Sequence, residues 1–158
     1  MENLKYTFSQ INDWIKIADQ KAMILGSFNI AGFIYQLVNF NKSGYGNIYV
    51  AIASVLSIIS TFVALYFWLR ILYPNLDNKH KKSKIYFQHI ANAYEKDIDL
   101  GIEELQKIED KEFKRDLASQ VVINSIIAKK KYVYIQKFIW AFSIQLLAVL
   151  ALIFVNLL

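Results

Sequence analysis

A chain of 158 residues is one domain's worth, and its 56% hydrophobic against 20% charged content excludes an ordinary soluble domain. The absence of cysteine excludes a disulfide framework, a thiolate nucleophile and a cysteine-based zinc site. A formal net charge of +5 says little until it is partitioned, because the charges are gathered into segments of different character.

Residues 1–21 carry three basic and three acidic side chains. Within them Leu4, Phe8, Ile11, Ile15 and Ala18, followed by Ala22, recur at intervals of four and three, the seam of a packed helix. No Pro or Gly intervenes before Gly26, so one helix is predicted from residue 3 to residue 40. Its first part, 1–21, is expected to stand in the cytoplasm; charges of balanced sign suit protein packing better than a helix lying on lipid.

Residues 22–41 form an uncharged run of twenty, residues 43–69 one of twenty-seven, and residues 138–158 one of twenty-one. A hydrocarbon core of about 30 Å needs about 20 helical residues at about 1.5 Å rise each, so each run is long enough to cross a bilayer. The spans are placed at 22–40, 48–69 and 138–158, with an external turn at 41–47 rich in Asn, Ser and Gly. The first run contains Asn29, Gln36 and Asn39 and has no small-x-small cleavage site after a short hydrophobic stretch, so a cleaved signal peptide is not expected. The chain's one proline, Pro74, ends the second span beyond Arg70. Tyr66, Phe67, Trp68 and Tyr73 there, and Tyr132, Tyr134, Phe138 and Trp140 at the start of the third span, form interfacial aromatic belts.

Residues 70–137 make a helical insert with fourteen Lys or Arg against ten Asp or Glu. After a polar piece at 75–84, two short amphipathic helices are predicted around 85–91 and 100–105. Beyond Asp110 a helical pattern runs through Phe113, Leu117, Val121, Ile127 and Ala128 into the third span without Pro or Gly, a rod of about 70 Å. Seventeen of the eighteen basic residues fall on one side of this topology, which the positive-inside rule assigns to the cytoplasm. The expectation is an all-α membrane protein with three transmembrane helices, its long first and last helices extending into a cytoplasmic helical bundle. Its N-terminus is expected inside and its C-terminus on the periplasmic or external side.

Signals of catalysis are weak. The five glycines form no phosphate-cradling cluster, and His80 and His89 lack the spacing of a zinc site. Asp97, Asp99, Glu103 and Glu104 spread over more than one helix face, as a solvated acidic surface does. No span holds a charge in its middle, so no intramembrane carboxylate serves proton-coupled transport. Neither an enzyme, a metal site nor a cofactor is expected.

Patterned polarity within the spans is the stronger signal. Gly26, Asn29, Gly32, Gln36 and Asn39 share one stripe of the first span, Ser54, Ser57 and Thr61 one of the second, and Ala141, Gln145 and Ala148 one of the third. Uncharged polar groups in hydrocarbon need partners, so these stripes face protein or water. Packing of small residues with interhelical hydrogen bonds satisfies that demand, and so does a polar path lined by the first span in an oligomer. Gln120, Asn124 and Lys131 interrupt the packed face of the last helix, and Asp19 and Lys21 lie at the same membrane-proximal level of the first. An Asp19–Lys131 pair is expected there, either as a structural clamp or in a ligand pocket. The Lys129-Lys130-Lys131 run with Lys137, and the cluster of Lys79, Lys81, Lys82 and Lys84, suit phosphate groups or lipid headgroups.

Three stretches make the chain resemble the Pycsar-type transmembrane effector family, small antiphage membrane proteins. Trp14 through Ala22 is similar to that family's Ala-Asp-x-Lys-Ala signature ahead of the first span, with Gln20 where a small hydroxyl residue is common. Tyr86-Phe87-Gln88-His89-Ile90-Ala91 follows the hairpin, and Leu117 through Tyr132 is similar to the closing helix in which a lysine precedes the final span. The resemblance implies that a companion nucleotide cyclase or nucleotidyltransferase makes a cyclic or oligomeric nucleotide second messenger. The messenger controls permeabilisation of the bacterial inner membrane, either opening the effector or holding it closed. On this reading Asp19, Lys21, His89, Arg115, Asn124 and Lys131 sense or couple the nucleotide, and Asn29, Gln36 and Asn39 line a pore in a homo-oligomer. The competing readings are a non-conducting scaffold that recruits a protein partner and a holin-like toxin without ligand.

Overall fold

The computed structural model describes residues 1–39, 48–74 and 83–157, the side chains of residues 39, 87, 88 and 155–157 excepted. The expected turn at 41–47, His80, Lys79, Lys81 and Lys82, and the side chain of Asn39 therefore lie outside the described residues. Among the described residues five helices follow one another: α1 (Glu2–Asn39), α2 (Ile48–Leu72), α3 (Phe87–Tyr94), α4 (Ile98–Gln106) and α5 (Asp110–Leu157). Three of them, α1, α2 and α5, contain stretches long and apolar enough to cross a membrane.

The local causes are visible in the chain. Helix α1 has no residue before Gly26 that opposes helix formation, and α2 closes with the Tyr73 amide donating to the Leu69 carbonyl, one residue ahead of Pro74. Helix α4 is capped by Asp97, whose carboxylate accepts from the Leu100 amide at 3.0 Å. Helix α5 carries Asp110 and Glu112 in its first turn, where the helix dipole favours negative charge.

The chain divides into two compact units, one made of residues Met1–Lys16 and Asn75–Lys129, the other of Ile17–Pro74 and Lys130–Leu158. The second unit holds the apolar runs. Its core is Ala18, Ala22, Ala64, Ile71, Ile135, Phe138 and Ala141, with Leu25, Phe67, Trp68, Tyr132, Tyr134 and Phe142 packed against it. Small residues from all three helices let the backbones approach closely, the usual way helices associate in lipid. Its polarity is inverted relative to a soluble bundle. Asn29, Gln36, Ser54, Ser57, Ser60, Thr61 and Gln145 are buried, whereas Met23, Phe28, Leu37, Val55, Phe62, Leu147 and Leu150 are exposed. That distribution suits hydrocarbon as the solvent, which tolerates apolar side chains and penalises unpaired polar ones.

In the first unit the expected seam of α1 has Ile11 buried and Leu4, Phe8 and Ile15 half-buried; in the second it continues with Ala18 and Ala22, both buried. From α5 the first unit buries Leu117, Gln120 and Ala128. Helices α3 and α4 form a small hairpin in which Tyr94 donates to the Glu104 carboxylate at 2.6 Å. That hydrogen bond, followed by desolvation and the Glu104 charge, raises the Tyr94 phenol above its ordinary pKa.

Gly26 of α1 makes room for the Trp68 indole of α2. A Cβ there would lie 2.4 Å from Trp68 Nε1, whose N–H donates to the Ala22 carbonyl at 2.8 Å. Gly26→Ala should therefore displace the indole and break that bond, lowering thermal stability in detergent by about 1–3 kcal/mol, with a change in tryptophan fluorescence. Ala substituted at Ser27, which is exposed, serves as the control that should leave both unchanged.

Candidate functional site

One side chain links all three helices of the span-bearing unit. Lys131 on α5 is only 5% exposed, and its ammonium donates to Asp19 Oδ1 on α1 at 2.5 Å and to the Ile71 carbonyl on α2 at 2.8 Å. Ile71 sits in the last turn of α2, where helical carbonyls lack an intrahelical donor, so the ammonium supplies one. The pair expected from the sequence is thus formed, with a backbone acceptor that residue identity alone did not reveal. Burial is unequal: the Lys131 side chain is 6% exposed and that of Asp19 is 39%. The lysine depends wholly on its protein partners, whereas the carboxylate keeps access to solvent.

The same end of this unit is ringed by cations on aromatic faces. Lys21 lies over Tyr132, Arg70 over Tyr134, and Lys137 over both Phe67 and Tyr134, at 5.7–5.9 Å from the ring centroids. Such contacts hold the charges without neutralising them.

Along the interior, Gln36 uses both ends of its amide on α2. Its Nε2 donates to the Ser54 carbonyl at 2.9 Å, and its Oε1 accepts from Ser57 Oγ at 2.8 Å. Thr61 and Ser60 return their hydroxyl protons to carbonyls one turn back, so they give nothing across the interface. Gln145 donates from Nε2 to the Asn29 carbonyl at 3.1 Å, beside Gly32, where a Cβ would meet the same nitrogen at 3.1 Å. Asn29 Oδ1 and Gln145 Oε1 are buried without a hydrogen-bond partner. Asn29 and Gln36 therefore face the interior of the chain's own helical unit.

The other unit has a separate polar knot. The Ser83 amide donates to His89 Nδ1 at 2.8 Å, which fixes the imidazole proton on Nε2 when the ring is neutral. Asp116 accepts from Ser83 Oγ at 3.0 Å and the Lys84 amide at 2.7 Å, while Lys84 pairs with Glu112 at 3.1 Å. Ser83 Oγ in turn accepts the Ile85 and Tyr86 amides, ordering the approach to α3. Asn124 donates to Asn12 Oδ1 at 2.8 Å, joining α5 to α1 next to buried Gln120. Arg115 is exposed on α5.

Of the residues singled out in the sequence, Asp19, Lys21 and Lys131 thus belong to the span-bearing unit and His89, Arg115 and Asn124 to the other. Sequence reasoning missed Asn12, Ser83, Asp116 and the Ile71 carbonyl. Asn12 carried a faint signal as an amide flanking the packed position Ile11; the others carried none. Among the described residues no three His, Asp or Glu side chains gather as metal ligands.

The model of the Pycsar effector protein domain matches residues 3–158. The chain belongs to the Pycsar effector family. Membership implies an antiphage membrane effector, and the matched region includes every residue of the clamp. The chain is 28% identical over 138 residues to the Pycsar effector protein SaPycTM of Staphylococcus aureus, covering 86% of this chain and 83% of that protein. No solved structure matches it.

The unequal burial of the clamp fixes the order of its substitutions in this family member. Asp19→Ala leaves a buried ammonium with one carbonyl, whereas Lys131→Met removes the buried charge and leaves a carboxylate that reaches water. Asp19→Ala should lower the unfolding free energy in detergent by about 1–3 kcal/mol, below the 3–5 of a fully enclosed pair. Lys131→Met should cost less; thermal denaturation of both variants checks the order.

Proposed function

We propose that this effector permeabilises or depolarises the bacterial inner membrane during infection, under control of a cyclic or oligomeric nucleotide second messenger made by a companion cyclase or nucleotidyltransferase. It acts as a homo-oligomer with its N-terminus in the cytoplasm, the side the basic residues favour. The observation that carries this reading is a three-helix unit with a polar interior and an apolar exterior, tied at one end by the Lys131 ammonium. Such a unit has polar groups available to line a path once they exchange their internal partners. Helices α1 and α5 each contribute to both units, which gives a nucleotide-sensing unit two continuous helices through which to act on the clamp.

The messenger has to bind one arrangement more tightly than the other. A nearly complete switch requires about 5.5 kcal/mol of difference. His89, Arg115 and Asn124 are assigned to nucleotide sensing, with Asp19, Lys21 and Lys131 coupling the signal. Asn29, Gln36 and Asn39 form the conducting stripe.

One observation favours the competing reading of a non-conducting scaffold. Both ends of the Gln36 amide are satisfied within the chain, as in a group used purely for packing. Ion flux from vesicles containing the purified chain, with and without a panel of cyclic and oligomeric nucleotides, separates the two. Conduction is expected to change with one nucleotide and to fall in the Asn29→Leu, Gln36→Leu double variant. Absence of flux under every condition, with defence intact in that variant, would overturn the pore and leave the scaffold. Flux insensitive to every nucleotide would leave a ligand-free toxin.

A further inference from the structure

Lys21, Arg70 and Lys137 each flank one of the three uncharged runs, preceding residue 22, following residue 69 and preceding residue 138, while Lys42 separates the first two runs. In an up-down-up arrangement of three spans these positions fall at the same end, where a bilayer presents its phosphates. The span-bearing unit contains one side-chain carboxylate, Asp19, and Lys131 engages it. Within this unit the flanking cations therefore have no side-chain carboxylate other than Asp19 to pair with.

Arg70 and Lys137 are linked through one ring. Both lie 5.7 Å from the centroid of the Tyr134 ring, so two like charges share one aromatic side chain. Arg70 is half-buried, and its Nε is enclosed without a hydrogen-bond partner. A cation–π contact is worth about 0.5–1 kcal/mol at an exposed site, which leaves the repulsion and the unused donor in place. A guanidinium fork with an adjacent ammonium is the arrangement that a phosphate oxyanion satisfies, two N–H donors from the arginine and a point charge from the lysine.

We propose that Arg70 and Lys137, organised on Tyr134, form a binding site for a phosphate group, occupied in the membrane by an anionic lipid headgroup. The site does not depend on the messenger reading, because it stands on the charges flanking the spans. Occupancy stabilises the end of α2 against the middle of α5 next to the Lys131 clamp, so the composition of the bilayer sets the stability of the span-bearing unit.

The full chain in neutral detergent tests this. Phosphatidylglycerol added to the micelles should raise the unfolding midpoint by about 3 °C over the same amount of phosphatidylcholine. The increment should vanish in Arg70→Gln, Lys137→Gln and persist in Lys129→Gln, a control at an exposed basic residue. If millimolar inorganic phosphate without lipid reproduces the increment, the site is a phosphate site filled by a soluble anion. Equal midpoints in the two lipids with no effect of phosphate, or a full increment in the double variant, would overturn the proposal. Should that variant not fold, native mass spectrometry of the unmodified chain and of Arg70→Lys remains decisive. Retention of phosphatidylglycerol no greater than that of phosphatidylcholine would equally overturn it.

Discussion

An ammonium removed from water at one end of three apolar stretches must find acceptors within the protein, and Lys131 finds one on each of the other two helices. Asp19 supplies a charge and the Ile71 carbonyl an otherwise open helix-terminal acceptor. Neither partner alone would answer all the donors of a buried lysine. Because the partners stand on different helices, satisfaction of this one group fixes the mutual level of α1, α2 and α5. Replacing the ammonium with an apolar group of similar volume would cost modestly, as buried ion pairs often contribute more to a defined arrangement than to net stability. A defined arrangement of modest net stability suits the messenger control proposed above.

Hydrocarbon as the surrounding solvent explains much of the remaining architecture. With no hydrophobic force drawing helices together in lipid, contact depends on close backbone approach and on polar groups that need partners. Ala18, Ala22, Ala64 and Ala141 serve the first purpose, and Gly26 leaves the space that the Trp68 indole fills. Gln36 with Ser54 and Ser57, and Gln145 with the Asn29 carbonyl, serve the second. Two amide oxygens, on Asn29 and Gln145, remain buried and unanswered. They mark where the interior is least committed to its present partners, and Asn29 is one of the residues assigned above to conduction.

The sequence made the helices legible because membrane helices are specified by long-range monotony, which survives without knowledge of neighbours. The uncharged runs, with no Pro in either helix and no Gly in α5, placed α1 and α5 within one or two residues of their observed ends. Asp19 and Lys131 were legible as a pair because two opposite charges near apolar helix faces have few alternatives. The Ile71 carbonyl was not, since every residue carries one and only packing decides which is left open. Nor was the contact of Ser83 with Asp116, 33 residues apart, where no periodicity relates the two. Hydropathy marks residue 22 as the start of the first run, whereas packing divides α1 after Lys16. The difference arises because Ala18 and Asp19, although outside the uncharged run, belong to the core and clamp of the span-bearing unit.

The interdependence of the clamp is measured most directly by a double-mutant cycle on Asp19→Asn, Lys131→Met and the two combined, read as unfolding free energies of the chain in one detergent. A lysine that binds α1 and α2 through its ammonium requires a coupling energy of about 1–3 kcal/mol between the two sites, with the double variant more stable than Asp19→Asn alone. Additive effects, within about 0.5 kcal/mol, would mean that Asp19 and Lys131 stabilise the helices independently and that no such clamp exists.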